Sequence, residues 1–294
     1  MRVLTAVSSL RLAAVALGVA VASFAQARPL DDIVKSGYID VAVYDDFAPF
    51  SWKDADGRYR GIDIDIAGEL AKSIGVEMRV MMRQAGEDLD GDLRANIWRG
   101  DLVGRKMADV MMHVPQDRGL QEMQPGEVEK RNDLVHFCCK YHLQTFAEIV
   151  DPDEIDGKTF AQFVYKKIGV EVDTVPDFFL TSAFGGQLMN SVVRSVTFAK
   201  TMQSFEEGKV AAVMATKAQV EWMARNVTRK TKVVQYPTPD IIRKDWPIGL
   251  AVRTDSRDVG YAFELELEKL AASGRLKEIM ADYGVTYTPV PVND

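Results

Sequence analysis

His136-Phe-Cys-Cys-Lys-Tyr-His142 gathers both cysteines of the chain and two of its three histidines into one short stretch. Such side chains can ligate a soft metal, close a disulfide or serve a redox switch, and their spacing decides among these. Adjacent Cα atoms lie about 3.8 Å apart, short of the roughly 4.4–6.8 Å usual across a disulfide, so a Cys138–Cys139 bridge would be strained and easily reduced. If the stretch is a strand, the two thiols also point to opposite faces. His136 and Cys138 then share a face, but His142 lies about 13 Å beyond Cys138 in extended chain, out of reach of one ion unless the strand turns back. No metal is expected here.

Other side chains invite similar weighing. The acidic run Glu87-Asp-Leu-Asp-Gly-Asp92 alternates like a calcium loop. Counted from Asp88, however, Leu93 stands where the turn needs glycine and Arg99 where a bidentate glutamate is needed, so the run reads as a solvated loop with Asp92 capping the next helix. Phosphate-binding glycine loops, nucleophile elbows and HExxH pairs are absent from the sequence, which argues against the common hydrolases and zinc enzymes. Asp46, Phe47 and Phe50 follow the alternating stretch Tyr38 to Tyr44, where open α/β sheets present ligand loops. Their rings would stack on a planar ligand or a partner loop, or else close the top of the core. His113 follows its own strand in the same way, and a lone histidine is more often a satisfied structural residue. The basic group Arg225, Arg229, Lys230 and Lys232 reads as a solvated face.

The elements that must hold these residues alternate. A hairpin turns at Asp54-Ala-Asp-Gly57; a helix with Ile66, Leu70 and Ile74 on one face follows, with Asp65 as its N-cap; Val76 to Met82 is the next strand. A helix around Leu93 to Gly100, a strand Ala108 to Met112 and a returning strand Leu134 to Cys139 complete one series. A second series covers Lys167–Val172, Asp177–Met189, Val193–Thr197, Phe198–Glu207, Val210–Met214 and Lys232–Gln235. Ile248 to Val252 then returns as a strand before helices from Tyr261 to Tyr283. This order implies an α/β protein of two units with a cleft between them.

Residues 1–27 read as an export signal, with Arg2 and Arg11 flanking the start, an apolar run from Leu12 to Phe24 and Ala25-Gln-Ala27 as a cleavage site. Removing it takes away two positive charges and moves the formal net charge from −7 to about −9. That balance argues against nucleic acid as a partner, and no second long apolar run follows. The periplasm, where disulfides can form, is the expected compartment.

Four strings in this order resemble the type II periplasmic solute-binding proteins: Val41-Ala-Val-Tyr-Asp-Asp-Phe-Ala-Pro-Phe50, Asp56-Gly-Arg-Tyr-Arg-Gly-Ile-Asp-Ile-Asp65, Phe205-Glu-Glu-Gly-Lys-Val210 and Gly274-Arg-Leu-Lys-Glu-Ile-Met-Ala-Asp-Tyr-Gly284. The resemblance implies a two-lobed fold with two hinge crossings and a central cleft, lobe 1 formed by residues 28–140 and 248–294 and lobe 2 by 141–247. It implies a cleft lined by Asp46, Phe47, Phe50, His113, Arg118 and Thr174. Arg118 matches the arginine that grips a ligand carboxylate in amino-acid receptors, whereas the aspartate that holds the amine falls at Ala215, so tight binding of ordinary α-amino acids is not expected. His136 to His142 becomes the first hinge strand, with Lys140 where the receptors have proline.

A narrower resemblance lies at Asp92-Leu-Arg-Ala-Asn-Ile-Trp-Arg-Gly100 and Ala108-Asp-Val-Met-Met-His-Val-Pro115. These strings are similar to the J proteins of methanol oxidation clusters, MxaJ and XoxJ, with XoxJ favoured. That implies a non-catalytic accessory protein with no cofactor of its own. Its partner would be a PQQ-dependent methanol dehydrogenase of the lanthanide type, whose maturation or activation it assists. The alternative is a transport receptor for a small solute other than an amino acid; some proteins of this fold are dehydratases, a third option that would need an acid or base in the cleft.

Overall fold

The computed structural model describes residues 28–86, 88–100, 106–116, 133–239 and 241–291. The export-signal stretch 1–27 and Arg118 lie outside the described residues. In chain order the elements are α1 (Leu30–Ser36), β1 (Tyr38–Tyr44), β2 (Trp52–Lys53), β3 (Tyr59–Arg60), α2 (Ile62–Ser73), β4 (Glu77–Arg83), α3 (Leu89–Leu93), β5 (Val110–Pro115) and β6 (Val135–Val150). They continue as β7 (Ile168–Glu171), α4 (Val175–Ser182), β8 (Val192–Ser195), α5 (Phe198–Glu206), β9 (Ala212–Thr216), α6 (Lys217–Asn226), β10 (Lys232–Val234), β11 (Asp245–Arg253), α7 (Arg257–Ala272) and α8 (Arg275–Asp282). Strand order in the main sheet is β4-β1-β5-β11-β6-β9-β7-β8, with β10 also on β6.

Burial explains the layering. Five consecutive residues of β1, Ile39 to Val43, are buried, the pattern of a strand covered on both faces. One face meets α2, α7 and α8 through Ile66, Leu70, Phe263, Leu267 and Ile279; the other meets Leu93, Ile97 and Met111. The second lobe is built likewise, with Phe160, Phe163 and Phe179 on one side of its strands and Phe205, Val220 and Met223 on the other. β6 and β11 belong to both lobes. The first part of β6 pairs with β11, and its last five residues, Phe146 to Val150, pair with β9.

Helix α2 begins earlier than its apolar periodicity predicts. Its first N–H groups are taken by the preceding loop: Ile62 donates to the Pro49 carbonyl and Asp63 to that of Phe50. Gly61 is the N-cap at φ +133°, where a Cβ would sit 2.0 Å from the Phe50 oxygen. Asp65 is therefore not the cap; its carboxylate lies in the first turn and accepts the Tyr283 hydroxyl at 2.7 Å. Similarly, Asp88 caps α3 by accepting from Gly91 N–H, while Asp92 is buried and accepts from the Tyr44 hydroxyl and Gly86 N–H. The expected helix from Leu93 to Gly100 is α3 followed by one π-helical turn, Arg94–Trp98.

The central strands slip past one another where they leave the first lobe. Ile248 pairs with His142 and Leu250 with Cys138, so three residues of β6, Cys139 to Tyr141, stand against the single Gly249. β5 slips as well, with Met112 and His113 opposite Leu250 alone. Each bulge turns on one residue in the left-handed region, Cys139 at φ +63° and His113 at φ +60°. An alternating strand does not describe this stretch, so the two thiols do not project to opposite faces: their sulfurs are 2.9 Å apart. Gly249 makes the slip possible, since a Cβ there would meet the Cys138 carbonyl at 2.6 Å and the Cys139 carbonyl at 3.0 Å. Gly249→Ala is expected to lower stability by about 3 kcal/mol, because both obstacles are backbone atoms. Chemical denaturation would show this as a lower midpoint, and an unchanged midpoint would mean that the slip is not a packing constraint.

Candidate functional site

Beneath the cleft lies a chain of buried polar side chains. Asp63, in the first turn of α2, is fully buried; it accepts the Tyr141 hydroxyl at 2.6 Å and faces His113 Nδ1 at 3.2 Å. Gln144 Nε2 lies 3.4 Å from His113 Nε2. Donation by the amide to Nε2 and by Nδ1–H to the carboxylate is a consistent neutral tautomer. Burial and the neighbouring Asp63 push the Tyr141 phenol well above its ordinary range, so it stays a donor. The other end of the Gln144 amide, Oε1, is buried with no protein partner. Gln144 stands opposite Trp246 and two residues from Phe146, on the face that lines the cleft.

The aromatic residues after β1 roof this chain. Phe50 is fully buried and contacts the His113 ring at 4.2 Å between centroids, so it closes the core rather than meeting a ligand. Phe47 stacks on Phe50 at 5.4 Å, meets His113 edge-on at 4.8 Å and stays partly exposed. Asp46, exposed and at φ +52°, is the outermost of the three. His113 lies inside β5 rather than after it, because the bulge rather than the strand end turns its ring inwards.

Across the cleft, the second lobe offers a pocket of about 180 Å³ lined by Thr174, Glu171, Val175, Ala215, Gln219 and Trp246, among others. Thr174 is the N-cap of α4; its hydroxyl donates to the Glu171 carbonyl at 2.7 Å and accepts from Asp177 N–H. Ala215 lines this pocket, as the resemblance implied, but the pocket does hold an acid. Glu171, at the end of β7, is pushed above the usual carboxylate range chiefly by burial, with Asp46 of the first lobe adding to the shift and an N–H of Phe198 opposing it. Sequence reasoning sought the acid on β9 and missed Glu171; its place at the end of an apolar strand just before a capping threonine was the available signal.

Of the six residues expected in the cleft, Asp46 and Phe47 lie on its first-lobe side and Thr174 lines the second-lobe pocket, His113 and Phe50 are buried beneath, and Arg118 lies outside the described residues. The basic group is not a uniform solvated face. Arg229 is largely buried over the Phe205 ring and bonds Asp151, Glu154 and the carbonyls of Phe205 and Val210. Among the described residues no group of three or more His, Cys, Asp or Glu side chains could hold a metal ion.

Two buried groups flank the site with opposite titrations. Burial and the neighbouring His113 hold His142 down to about 4, with Lys217 adding to this, while its Nδ1 accepts from Thr288 N–H. Burial pushes Glu148 up to about 7 against the pull of Tyr236 N–H. His142 therefore withdraws stability as pH falls from about 6.5 to 4, and Glu148 withdraws it as pH rises from about 4.5 to 7, each by about 3 kcal/mol. The two slopes offset. Relative to the parent chain, Glu148→Gln is expected to gain about 3 kcal/mol at pH 7.5 and nothing at pH 4.5. Urea denaturation at both pH values checks this, and an equal gain at both would rule out the buried carboxyl as its source.

Comparison with known proteins adds the following. Residues 39–94 match the sequence profile of bacterial extracellular solute-binding proteins, family 3. Over 70 residues the chain is 40% identical to cyclohexadienyl dehydratase of Pseudomonas aeruginosa, a match that spans 24% of this chain and 26% of that enzyme. Among solved structures, an ancestral cationic amino-acid solute-binding protein superposes with a TM-score of 0.65 at 22% identity, covering 87% of this chain and 99% of that one. A substrate-binding protein of an amino-acid ABC transporter from Streptococcus pneumoniae, bound to L-arginine, gives 0.61 at 20% identity, covering 86% and 97%. A histidine kinase sensor domain gives 0.58 at 18%, covering 85% and 98%. The fold is thus the two-lobed α/β fold of periplasmic binding proteins. No helix among the described residues is long and apolar enough to cross a membrane.

Proposed function

We propose that this chain is an exported, non-catalytic binding protein of the solute-binding type, and that it serves as an accessory protein of a PQQ-dependent methanol dehydrogenase of the lanthanide type. The strings Asp92 to Gly100 and Ala108 to Pro115 supply the link to that enzyme. The observation that carries a protein partner is an apolar groove of the second lobe, beside α4. It has a volume of about 310 Å³ and is lined by Phe178, Phe179, Phe184, Ile241 and Ile242. Phe178 is 55% exposed, Phe184 42% and Ile242 90%, an arrangement that costs solubility unless something covers it. The chain of Asp63, His113 and Gln144 is internally satisfied except at one amide end, which suits positioning and recognition rather than turnover.

The test uses purified components. The chain should co-elute with purified apo- or holo-dehydrogenase in size exclusion, and Phe178→Asp with Ile242→Asp, the two most exposed groove residues, should weaken that association at least tenfold without altering the thermal midpoint. Failure to retain either form of the enzyme would remove the accessory reading.

A second reading is favoured by Glu171 and Asp46, which face each other across the cleft with like charge. A cationic small solute between them would relieve their repulsion and draw the lobes together. Under that reading Glu171→Gln is expected to reduce solute affinity by tenfold or more, as read by calorimetry against cationic solutes. Equal affinity in parent and variant would exclude Glu171 as the anchor.

A further inference from the structure

The cysteine pair of the β6 bulge has no part in the cleft, and its surroundings are built around it. Cys139 is buried at φ +63°, and this turn brings its sulfur to 2.9 Å from that of Cys138. The bulge is held from one side by α7. Cys139 N–H donates to the Glu264 carboxylate, and the Cys139 sulfur lies 3.3 Å from the Gly260 carbonyl. Gly260 leaves the space the pair occupies, since a Cβ there would meet Cys138 Sγ at 3.0 Å and His136 Cδ2 at 3.1 Å. Cys138 is only partly buried, whereas Cys139 is buried, so Cys138 is the more accessible of the pair.

We propose that Cys138 and Cys139 form a redox site: a vicinal dithiol that closes reversibly to a disulfide within the β6 bulge by exchange with an external disulfide, either glutathione disulfide or that of a dithiol oxidase. Cys138 attacks the external disulfide, releasing one thiol and forming a mixed disulfide. Cys139 then attacks the Cys138 sulfur, releasing the second thiol. Two protein S–H bonds are lost and one S–S bond is formed, and the two electrons and two protons leave on the external pair. Hydrogen bonding to Cys138 and burial keep the Cys139 thiol protonated, so it follows rather than leads. A ring closed across one peptide is strained, which places it among readily reduced disulfides. Because the bulge lies where β6 passes between the lobes, closing the ring stiffens that crossing.

The purified protein is equilibrated with mixtures of reduced and oxidised glutathione, acid-quenched, denatured and alkylated with N-ethylmaleimide. Intact mass should shift from a species with two adducts to one with none and no bound glutathione, and the peptide containing both cysteines should be two hydrogens lighter. Persistence of two adducts in excess glutathione disulfide, or a mixed disulfide as the end point, overturns the proposal. Cys139→Ser should instead accumulate glutathione at Cys138, and absence of that adduct would show that the leading thiol is unreachable. Hydrogen exchange at the Tyr141 and Ile248 amides should slow several-fold in the closed form; unchanged exchange overturns the stiffening.

Discussion

Three adjacent strands must pass from one lobe toward the other without keeping register, and the approach of the β6 backbone to Gly249 allows it. Opposite that one glycine β6 carries three residues, and one step along β11 the neighbouring β5 carries two against Leu250. With a Cβ at position 249, the Cys138 and Cys139 carbonyls would have to move outward and the pairing between β6 and β11 would open. Both bulges cost conformational energy, about 1 kcal/mol or more for each non-glycine residue held at positive φ. Tyr141 and His113 repay part of it, because the bulges turn both side chains onto Asp63.

From that constraint the cleft floor follows. His113 reaches Asp63 only because β5 bulges, and Gln144 reaches His113 only because β6 resumes its alternation after its own bulge. The roof follows as well. The loop that carries Phe47 and Phe50 ends by giving its carbonyls to the first turn of α2, the turn that holds Asp63. Loop, helix start and bulged strands therefore form one rigid unit on the first lobe. The second lobe contributes its polar groups from helix starts instead: Thr174 at α4 and the Phe198 N–H of α5, which Glu171 accepts.

Much of this architecture is legible in the sequence where periodicity is strong. β1, the β2–β3 hairpin and α5 lie close to their expected places because alternation, a turn with glycine at its end and a helical apolar face each give a local signal. α6 escaped because its sequence is polar on average, although Thr216 and Gln219 spell a capping box that marks its start. The start of α2 was misplaced because its cap is a backbone loop and a glycine, with no side chain to announce it. The bulges were not legible, since they arise from the mismatch between strands far apart in sequence. Arg229 looked like a surface charge for the same reason: its partners Asp151 and Glu154 come from the far end of β6 and the turn beyond it.

The helix that sequence reasoning missed also ties the lobes together. Trp222 of α6 meets Trp52 of the first lobe at 5.8 Å between ring centroids, and Trp52 in turn meets Tyr283. Trp246, between Phe146 and the pocket, is the third indole on this seam. Three of the four tryptophans in the chain therefore sit where a change in lobe separation alters their contacts and their wetting. The protein thus carries the makings of its own optical gauge: its ultraviolet emission is expected to change with the opening of the cleft, without any attached dye.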